Sequence, residues 1–220
     1  MTTSAEHTRK YPEISLQLAQ EYKGKPYNPE VITKIWRAFL PEVRIPECDW
    51  TEEQIADPII GDEGEPQEAM MVFLPDLYRG KEGLINLGKR FPEMNHYSVQ
   101  EGTPIVSDDR PGGWIKIEAS VTAPNRNTTE YQLIAHLESQ GRYGQREEVY
   151  ILGAQFSKRV NGQYFDEDSI WPRLFGSRCE GYIVRAGFSS DGPLHLDWGL
   201  GPWGRDIYFG GRSEGVLQKA

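Results

Sequence analysis

The clearest helical pattern in the chain lies between residues 28 and 41. Four apolar residues recur at the spacing of one buried helix face: Ile32, Ile35, Trp36 and Phe39. Asn28 is a favoured N-cap residue, Pro29 suits the first helical position, and Pro41 ends the pattern. The sequence therefore predicts a helix whose apolar face packs into the core.

Two further helices are predicted, one on each side of this helix. The first runs from Pro12 to about Tyr22, with apolar residues spaced along one face. The second begins at Thr51, which forms a capping-box pattern with Gln54, and it ends near Asp57. The first part of the chain is thus predominantly helical.

Strand patterns appear later in the chain. Met70–Leu74 is a short apolar run typical of a buried strand, and Trp114–Val121 alternates polar and apolar residues as a strand with one solvated face does. A helix capped by Asn127 or Thr128 and ending near Ser139 follows. Strands and helices therefore alternate in this part of the sequence.

The stretch from Glu147 to Phe188 is the most apolar part of the chain and is predicted to form the centre of the fold. We interpret Val149–Phe156 as an interior strand, because both of its faces are apolar, and Asn161-Gly162 as the turn of a hairpin. A short helix over Ser169–Phe175 and a second buried strand over Tyr182–Phe188 are predicted after it.

Together these patterns predict an α+β fold. It consists of a mixed, mostly antiparallel sheet of about six strands with packed helices, preceded by a helical N-terminal region. Gly61–Pro66 is the strongest linker candidate, because glycine, proline and acidic residues favour a loop. We therefore expect a helical region over residues 1–62, packed on an α+β main domain over residues 67–220.

The charge of the chain is uneven. Its 220 residues carry a net charge of -9, and the segment Glu47–Glu68 contains nine acidic residues and no Lys or Arg. Such a surface repels phosphate backbones, which argues against nucleic acid as a partner. The acidic segment is either a solvated face or a docking surface for a basic partner.

Cysteine usage and hydropathy indicate a cytoplasmic protein. The two cysteines, Cys48 and Cys179, lie far apart, and the first residues lack the apolar run of a secretory signal. No apolar stretch has the length needed to cross a bilayer. We therefore expect free thiols in a reducing compartment and no association with a membrane.

One candidate catalytic set is a nucleophilic thiol with a base and an orienting acid: Cys179, His195 and Asp197. This set would make the protein a hydrolase, although no cysteine-hydrolase signature surrounds Cys179, and His195 and Asp197 equally suit the solvated face of a strand. The four histidines stand alone in the sequence, without a Cys pair near them, so we expect no metal site and no cofactor.

The last fifty residues of the chain combine tryptophan with arginine, which is the composition of protein-interface hot spots. The candidate binding residues are Trp198, Trp203, Arg205 and Arg212. Large aromatic residues also fill ordinary cores, so the composition alone is ambiguous. A protein-binding or assembly role, which includes self-association, is favoured over the hydrolase because it needs only a surface.

Overall fold

The computed structural model describes residues 14–95, 99–100, 104–167, 170–199 and 201–215. These residues form an α+β fold with mostly antiparallel strands, as predicted. The helices are α1 (Leu16–Gly24), α2 (Pro29–Phe39), α3 (Glu52–Ala56), α4 (Gly80–Arg90), α5 (Glu130–Ser139) and α6 (Glu147–Asn161). Short 3-10 turns lie at Asp76–Tyr78 and Pro92–Met94.

The strands divide into three sheets. They are β1 (Ile59–Ile60), β2 (Pro66–Gln67), β3 (Ala69–Leu74), β4 (Ile105–Ser107), β5 (Gly113–Glu118), β6 (Tyr143–Gly144), β7 (Arg173–Cys179), β8 (Tyr182–Phe188), β9 (Leu194–Asp197) and β10 (Ser213–Glu214). One sheet has the order β3-β5-β10-β6, a second has the order β4-β7-β8-β9, and β1 pairs with β2 in a hairpin. The last strand in sequence, β10, is therefore an interior strand of its sheet.

The predicted N-terminal caps of two helices are confirmed. The Asn28 side chain accepts a hydrogen bond from the Val31 backbone N–H at the start of α2, at 3.1 Å. Thr51 and Gln54 form the reciprocal capping box of α3. At α5 the cap is Thr129, which is paired with Gln132, rather than Asn127 or Thr128. Helix α1 begins at Leu16 with Ser15 as its N-cap, later than the predicted start at Pro12, which itself lies outside the described residues.

The secondary structure predicted for the central apolar stretch is wrong in two places. Residues 149–156 belong to helix α6, and Gly162, at a φ of 84°, forms its left-handed C-cap instead of a hairpin turn. Of the segment predicted as a helix, Ser169–Phe175, residues 173–175 belong instead to strand β7, and Ser169 lies outside the described residues. A short run that is apolar on every side fits a buried helix as well as a buried strand. The second buried strand, β8, is confirmed.

Residues 147–157 of helix α6 are all buried, because neighbouring elements surround this part of the helix. It packs against β3 of one sheet, β7 of the other and α4. Its C-terminal half joins the N-terminal helices in an aromatic core that consists of Tyr22, Trp36, Phe39, Phe91 and Phe156. The Trp36 and Phe156 rings stack with centroids 4.7 Å apart, and the Trp36 indole N–H donates to the Met71 carbonyl of β3. The N-terminal helices thus pack against the sheet that contains β3. A domain boundary at residues 61–66 stays a prediction.

Candidate functional site

The strand register separates the proposed catalytic thiol from its proposed base. Cys179 of β7 pairs with Tyr182 of β8, whereas His195 of β9 pairs with Gly187. The two positions are therefore five residue steps apart along β8, which is about 16 Å along an extended strand. Cys179 is fully buried, and this burial raises the pKa of its thiol. The structure does not bring an activated thiol and a base together.

The other two members of the proposed catalytic set have different partners. His195 is exposed, and its Nε2 forms a 2.6 Å hydrogen bond with the hydroxyl of Ser189. The carboxylate of Asp197 accepts a hydrogen bond from Arg185 Nη2 on the neighbouring strand. The acid therefore neutralises an arginine and does not orient the imidazole.

Arg212 does not lie on an exposed binding surface. Its exposed fraction is 0%, and its guanidinium donates two hydrogen bonds to Asp166, from Nε at 2.8 Å and from Nη2 at 3.1 Å. The same group lies over the ring of Phe165, 4.5 Å from its centroid. Such a bidentate, stacked geometry fixes the chain just before β10.

Arg212 belongs to a buried cluster of charged and polar groups around β10, which we call the ionic core. Its members are Glu118, Arg142, Arg146, Asp166, Arg212, Ser213 and Glu214. The Glu214 carboxylate accepts hydrogen bonds from the backbone N–H of Arg146, at 2.9 Å, and from its Nε, at 2.7 Å, and so caps α6 from a distant part of the chain. The carboxylate of Glu118 accepts from the Ser213 N–H at 3.0 Å. These groups compensate one another and hold β10 in the sheet.

Trp203 of the C-terminal loop contacts Tyr131 of α5 at the surface. The ring centroids of Trp203 and Tyr131 are 4.7 Å apart. Four large side chains of α5 and the C-terminal loop are exposed, and we call them the aromatic patch: Trp203 (74%), Ile207 (62%), Tyr208 (58%) and Tyr131 (52%). Exposed apolar side chains that cluster in this way mark interaction surfaces.

Backbone hydrogen bonds hold the loop that carries the patch. The Pro202 carbonyl accepts from the Glu130 N–H at the start of α5, at 3.1 Å, and the Tyr208 carbonyl accepts from the Trp171 N–H at 2.9 Å. Between them, buried Arg173 donates from Nη2 to the Gly204 carbonyl at 2.6 Å. The aromatic side chains are therefore presented by an ordered backbone, which lowers the entropic cost of binding.

The remaining predicted binding residues differ in position. Arg205 is exposed on the same loop, between Trp203 and Ile207. Trp198 is only half-buried, and it packs against the apolar core rather than in the aromatic patch. Of the four predicted binding residues, Trp203 and Arg205 thus lie together on the surface.

The sequence prediction missed Tyr131. A signal was present, because Leu133 and Leu137 define the buried face of α5 and Tyr131 lies on the opposite face. Ile207 and Tyr208 could not be assigned to the surface from sequence, since their exposure depends on how the loop lies on α5.

The acidic hairpin, residues 59–68, lies beside the same helix. The Ile60 carbonyl accepts hydrogen bonds from the side chains of His136 and Gln140, in and just after the last turn of α5. The Asp62 N–H donates to the Asn125 side chain at 2.9 Å, in the loop that precedes α5. Three carboxylates of the hairpin are exposed: Asp62, Glu63 and Glu68. One helix therefore joins the acidic hairpin to the aromatic patch.

The described residues lack the side-chain groups of a metal site and the helix of a membrane span. No group of three His, Cys, Asp or Glu side chains there could hold a metal ion. No helix in the described part of the chain is both long enough and apolar enough to span a bilayer. A surface cavity of about 740 Å³ lies beside α4, and none of the predicted site residues is among those that line it: Glu82, Ile85, Asn86, Gly88, Lys89, Pro92, Asn95, Val99 and Gln100.

Comparisons with models of protein families, with curated proteins and with solved structures found no match to this chain. The function therefore has to be inferred from the chemistry of the surface and the buried groups of this molecule.

Proposed function

We propose that this chain is a protein-binding or assembly protein, and that its docking surface is α5 with the aromatic patch and the acidic hairpin. The observation that carries this proposal is the pair of exposed rings, Trp203 and Tyr131, on an ordered loop and helix. Tryptophan and tyrosine in such positions supply most of the binding energy of protein interfaces.

Charge supports a protein as the partner. The acidic hairpin carries exposed carboxylates along one side of α5, and Arg205 lies near the patch. A nucleic acid would be repelled by the hairpin, whereas a protein surface with both charges can complement it. We further propose that the protein acts in the cytoplasm, where the buried thiols of Cys48 and Cys179 stay reduced.

The test is native mass spectrometry of the tagged chain isolated from its own host. We expect the wild-type chain in a complex heavier than the 25.1 kDa monomer. The double variant Trp203→Ala with Tyr131→Ala should lose that complex while its circular dichroism spectrum stays unchanged.

A matched control is Tyr182→Ala with Val106→Ala, because both residues are exposed apolar side chains outside the aromatic patch. This control should retain the complex. A wild-type chain that is monomeric and has no stoichiometric partner would contradict the proposed function, and so would a complex that survives loss of both patch rings.

A further inference from the structure

We infer that the free edge of strand β9 docks a second copy of the same chain, and that the two β9 strands pair antiparallel about a twofold axis at Leu196. This inference goes beyond the proposed function, because it uses a different surface from α5 and the aromatic patch. The backbone of β9 and the order of its side chains select this occupant.

Strand β9 is an edge strand with outward-facing backbone groups. It lies at the end of the sheet β4-β7-β8-β9 and pairs with β8. The Ser189 N–H donates to the Pro193 carbonyl at 2.9 Å, which makes these two residues a hydrogen-bonded pair at the turn. Hydrogen-bonded and non-hydrogen-bonded pairs alternate along an antiparallel ladder, so the N–H and C=O groups of Leu194 and Leu196 point away from β8. No other strand in the described part of the chain pairs with β9, so these groups form an open edge.

The sequence of β9 leaves this edge unblocked. Proteins commonly block a free edge with lysine, proline or a bulge. Residues 194–197, Leu-His-Leu-Asp, contain neither lysine nor proline, and their pairing with β8 is regular at all 4 positions. The edge is therefore able to accept another extended strand.

The side chains of β9 are self-complementary. Leu194 and Leu196 pack against the apolar core, whereas His195 and Asp197 are exposed on the opposite face. In an antiparallel pair about Leu196, His195 of each copy lies opposite Asp197 of the other, and Leu196 lies opposite itself. The two Leu196 residues then exchange a pair of backbone hydrogen bonds across the axis.

The existing hydrogen bonds of the two polar residues fit this arrangement. The Nε2 atom of His195 lies 2.6 Å from the Ser189 hydroxyl. When that hydroxyl donates to Nε2, the imidazole carries its proton on Nδ1 and can donate it to a carboxylate. Asp197 accepts from Arg185, and a carboxylate can accept further hydrogen bonds. Each copy thus supplies a donor for the acceptor of the other.

Neighbouring registers lack this match. If the axis moves by one residue toward the N-terminus, the two His195 side chains lie opposite each other, and if it moves by one residue toward the C-terminus, the two Asp197 carboxylates do. Each chain carries a net charge of -9, so a register that brings acids together adds to a general repulsion. The axis at Leu196 is the register that pairs donor with acceptor.

Sedimentation velocity of the full chain over a range of concentrations tests the inference. Because each copy contributes one short strand, we expect a weak dimer that forms at about tens of micromolar and dissociates at low micromolar concentrations. Leu196→Pro removes the N–H at the axis, and an edge strand tolerates proline where its N–H faces outward. We expect this variant to raise the dimer dissociation constant about tenfold or more. The matched control, Leu196→Ala, shortens the same side chain but keeps the N–H, and it should still dimerise.

Two substitutions of His195 test the register without a change in the backbone. His195→Glu places like charges opposite each other at both symmetric positions and should raise the dissociation constant about tenfold. His195→Lys places a positive charge opposite Asp197 and should dimerise at least as tightly as the wild type. The control Val106→Glu introduces one negative charge on β4, the opposite edge of the same sheet, where 69% of Val106 is exposed. It should dimerise like the wild type.

A chain that stays monomeric up to about hundreds of micromolar would overturn the inference. A dimer that tolerates Leu196→Pro would also overturn it, as would one that Val106→Glu weakens as much as His195→Glu does. If Leu196→Pro does not fold, the two His195 variants decide alone. Trp203→Ala with Tyr131→Ala should dimerise like the wild type, and native mass spectrometry at low micromolar concentrations lies below the range of this dimer. Failure of the proposed function and failure of this inference are therefore separate results.

Discussion

The two ends of α6 lie in environments of opposite character. Near its C-terminal end, Phe156 contacts Trp36, Phe39 and Tyr22 in the aromatic core. At its N-terminal end, Arg146 is bound by Glu214 in the ionic core. Both regions are buried. The side chains of the aromatic core are held by close packing, whereas those of the ionic core are held by directed hydrogen bonds between charged groups.

This difference determines how each region responds to substitution. Apolar contacts have no direction, so a side chain of similar volume can replace another after small shifts. A buried charge depends on a partner at a fixed distance and angle, and removing one partner leaves the other desolvated and uncompensated. The ionic core is therefore expected to be the less tolerant of the two.

A large loss of stability is expected when the central ion pair of the ionic core is broken. Arg212→Ala leaves Asp166 buried without its bidentate partner, and we expect the free energy of unfolding to fall by about 3–5 kcal/mol. Urea-induced unfolding followed by circular dichroism measures this loss. Arg205→Ala, at an exposed position, serves as the control and should unfold like the wild type. A loss of less than about 1 kcal/mol for Arg212→Ala would show that the pair is replaceable.

A smaller loss is expected when the charge is kept but the geometry is changed. Arg212→Lys retains one positive charge, yet lysine cannot make the paired hydrogen bonds to Asp166 or the stack on Phe165. We expect a loss of about 1.5–3 kcal/mol in the same urea experiment. Stability equal to that of the wild type would mean that the positive charge alone stabilises this position and that the geometry of the hydrogen bonds contributes nothing.

In the aromatic core, an equally conservative substitution should lower the free energy of unfolding by less than Arg212→Lys does. Phe156→Leu keeps an apolar side chain that neighbouring rings can approach, and we expect a loss of about 1 kcal/mol, below that of Arg212→Lys. Phe156→Ala leaves a cavity, and we expect it to lower the free energy of unfolding by about 3–5 kcal/mol. A loss of this size would show that the side chain is closely packed. The comparison fails if Phe156→Leu destabilises the fold more than Arg212→Lys does.

The last effect concerns how the stability of the fold depends on pH through Tyr164, a buried residue of the core. Burial raises the pKa of Tyr164, whose ring stacks on Phe188, to about 12. An unfolded tyrosine titrates near 10, so between about pH 10 and pH 12 the unfolded chain loses a proton that the folded chain keeps. The contribution of this group to stability is therefore complete below about pH 10 and is lost as the pH rises through about 12.

We expect the variant Tyr164→Phe to lose stability less steeply than the wild type over this alkaline range. Urea unfolding at a series of pH values between about 9 and 12 measures the two slopes. Identical slopes would show that another group governs the alkaline loss of stability.

Sequence patterns predicted the elements that depend on local chemistry. The cap at Asn28, the apolar stripe of α2 and the capping box at Thr51 each follow from interactions within one or two turns of a helix. The exposure of Trp203 and Arg205 also fits the proposed surface. The ionic core was not foreseen, because charged residues are normally exposed and their buried partners lie far apart in sequence, as Asp166 and Arg212 do.

The sequence by itself determined the α+β class, the caps of α2 and α3 and the apolar stripe of α2, because these depend on residue spacing and local hydrogen bonds. Only the tertiary structure decided that residues 149–156 form a helix enclosed between two sheets, and that Cys179 and His195 are far apart. It also decided that Trp203 meets Tyr131 at the surface while Arg212 is buried. Each of these outcomes depends on contacts between distant segments, which no local pattern encodes.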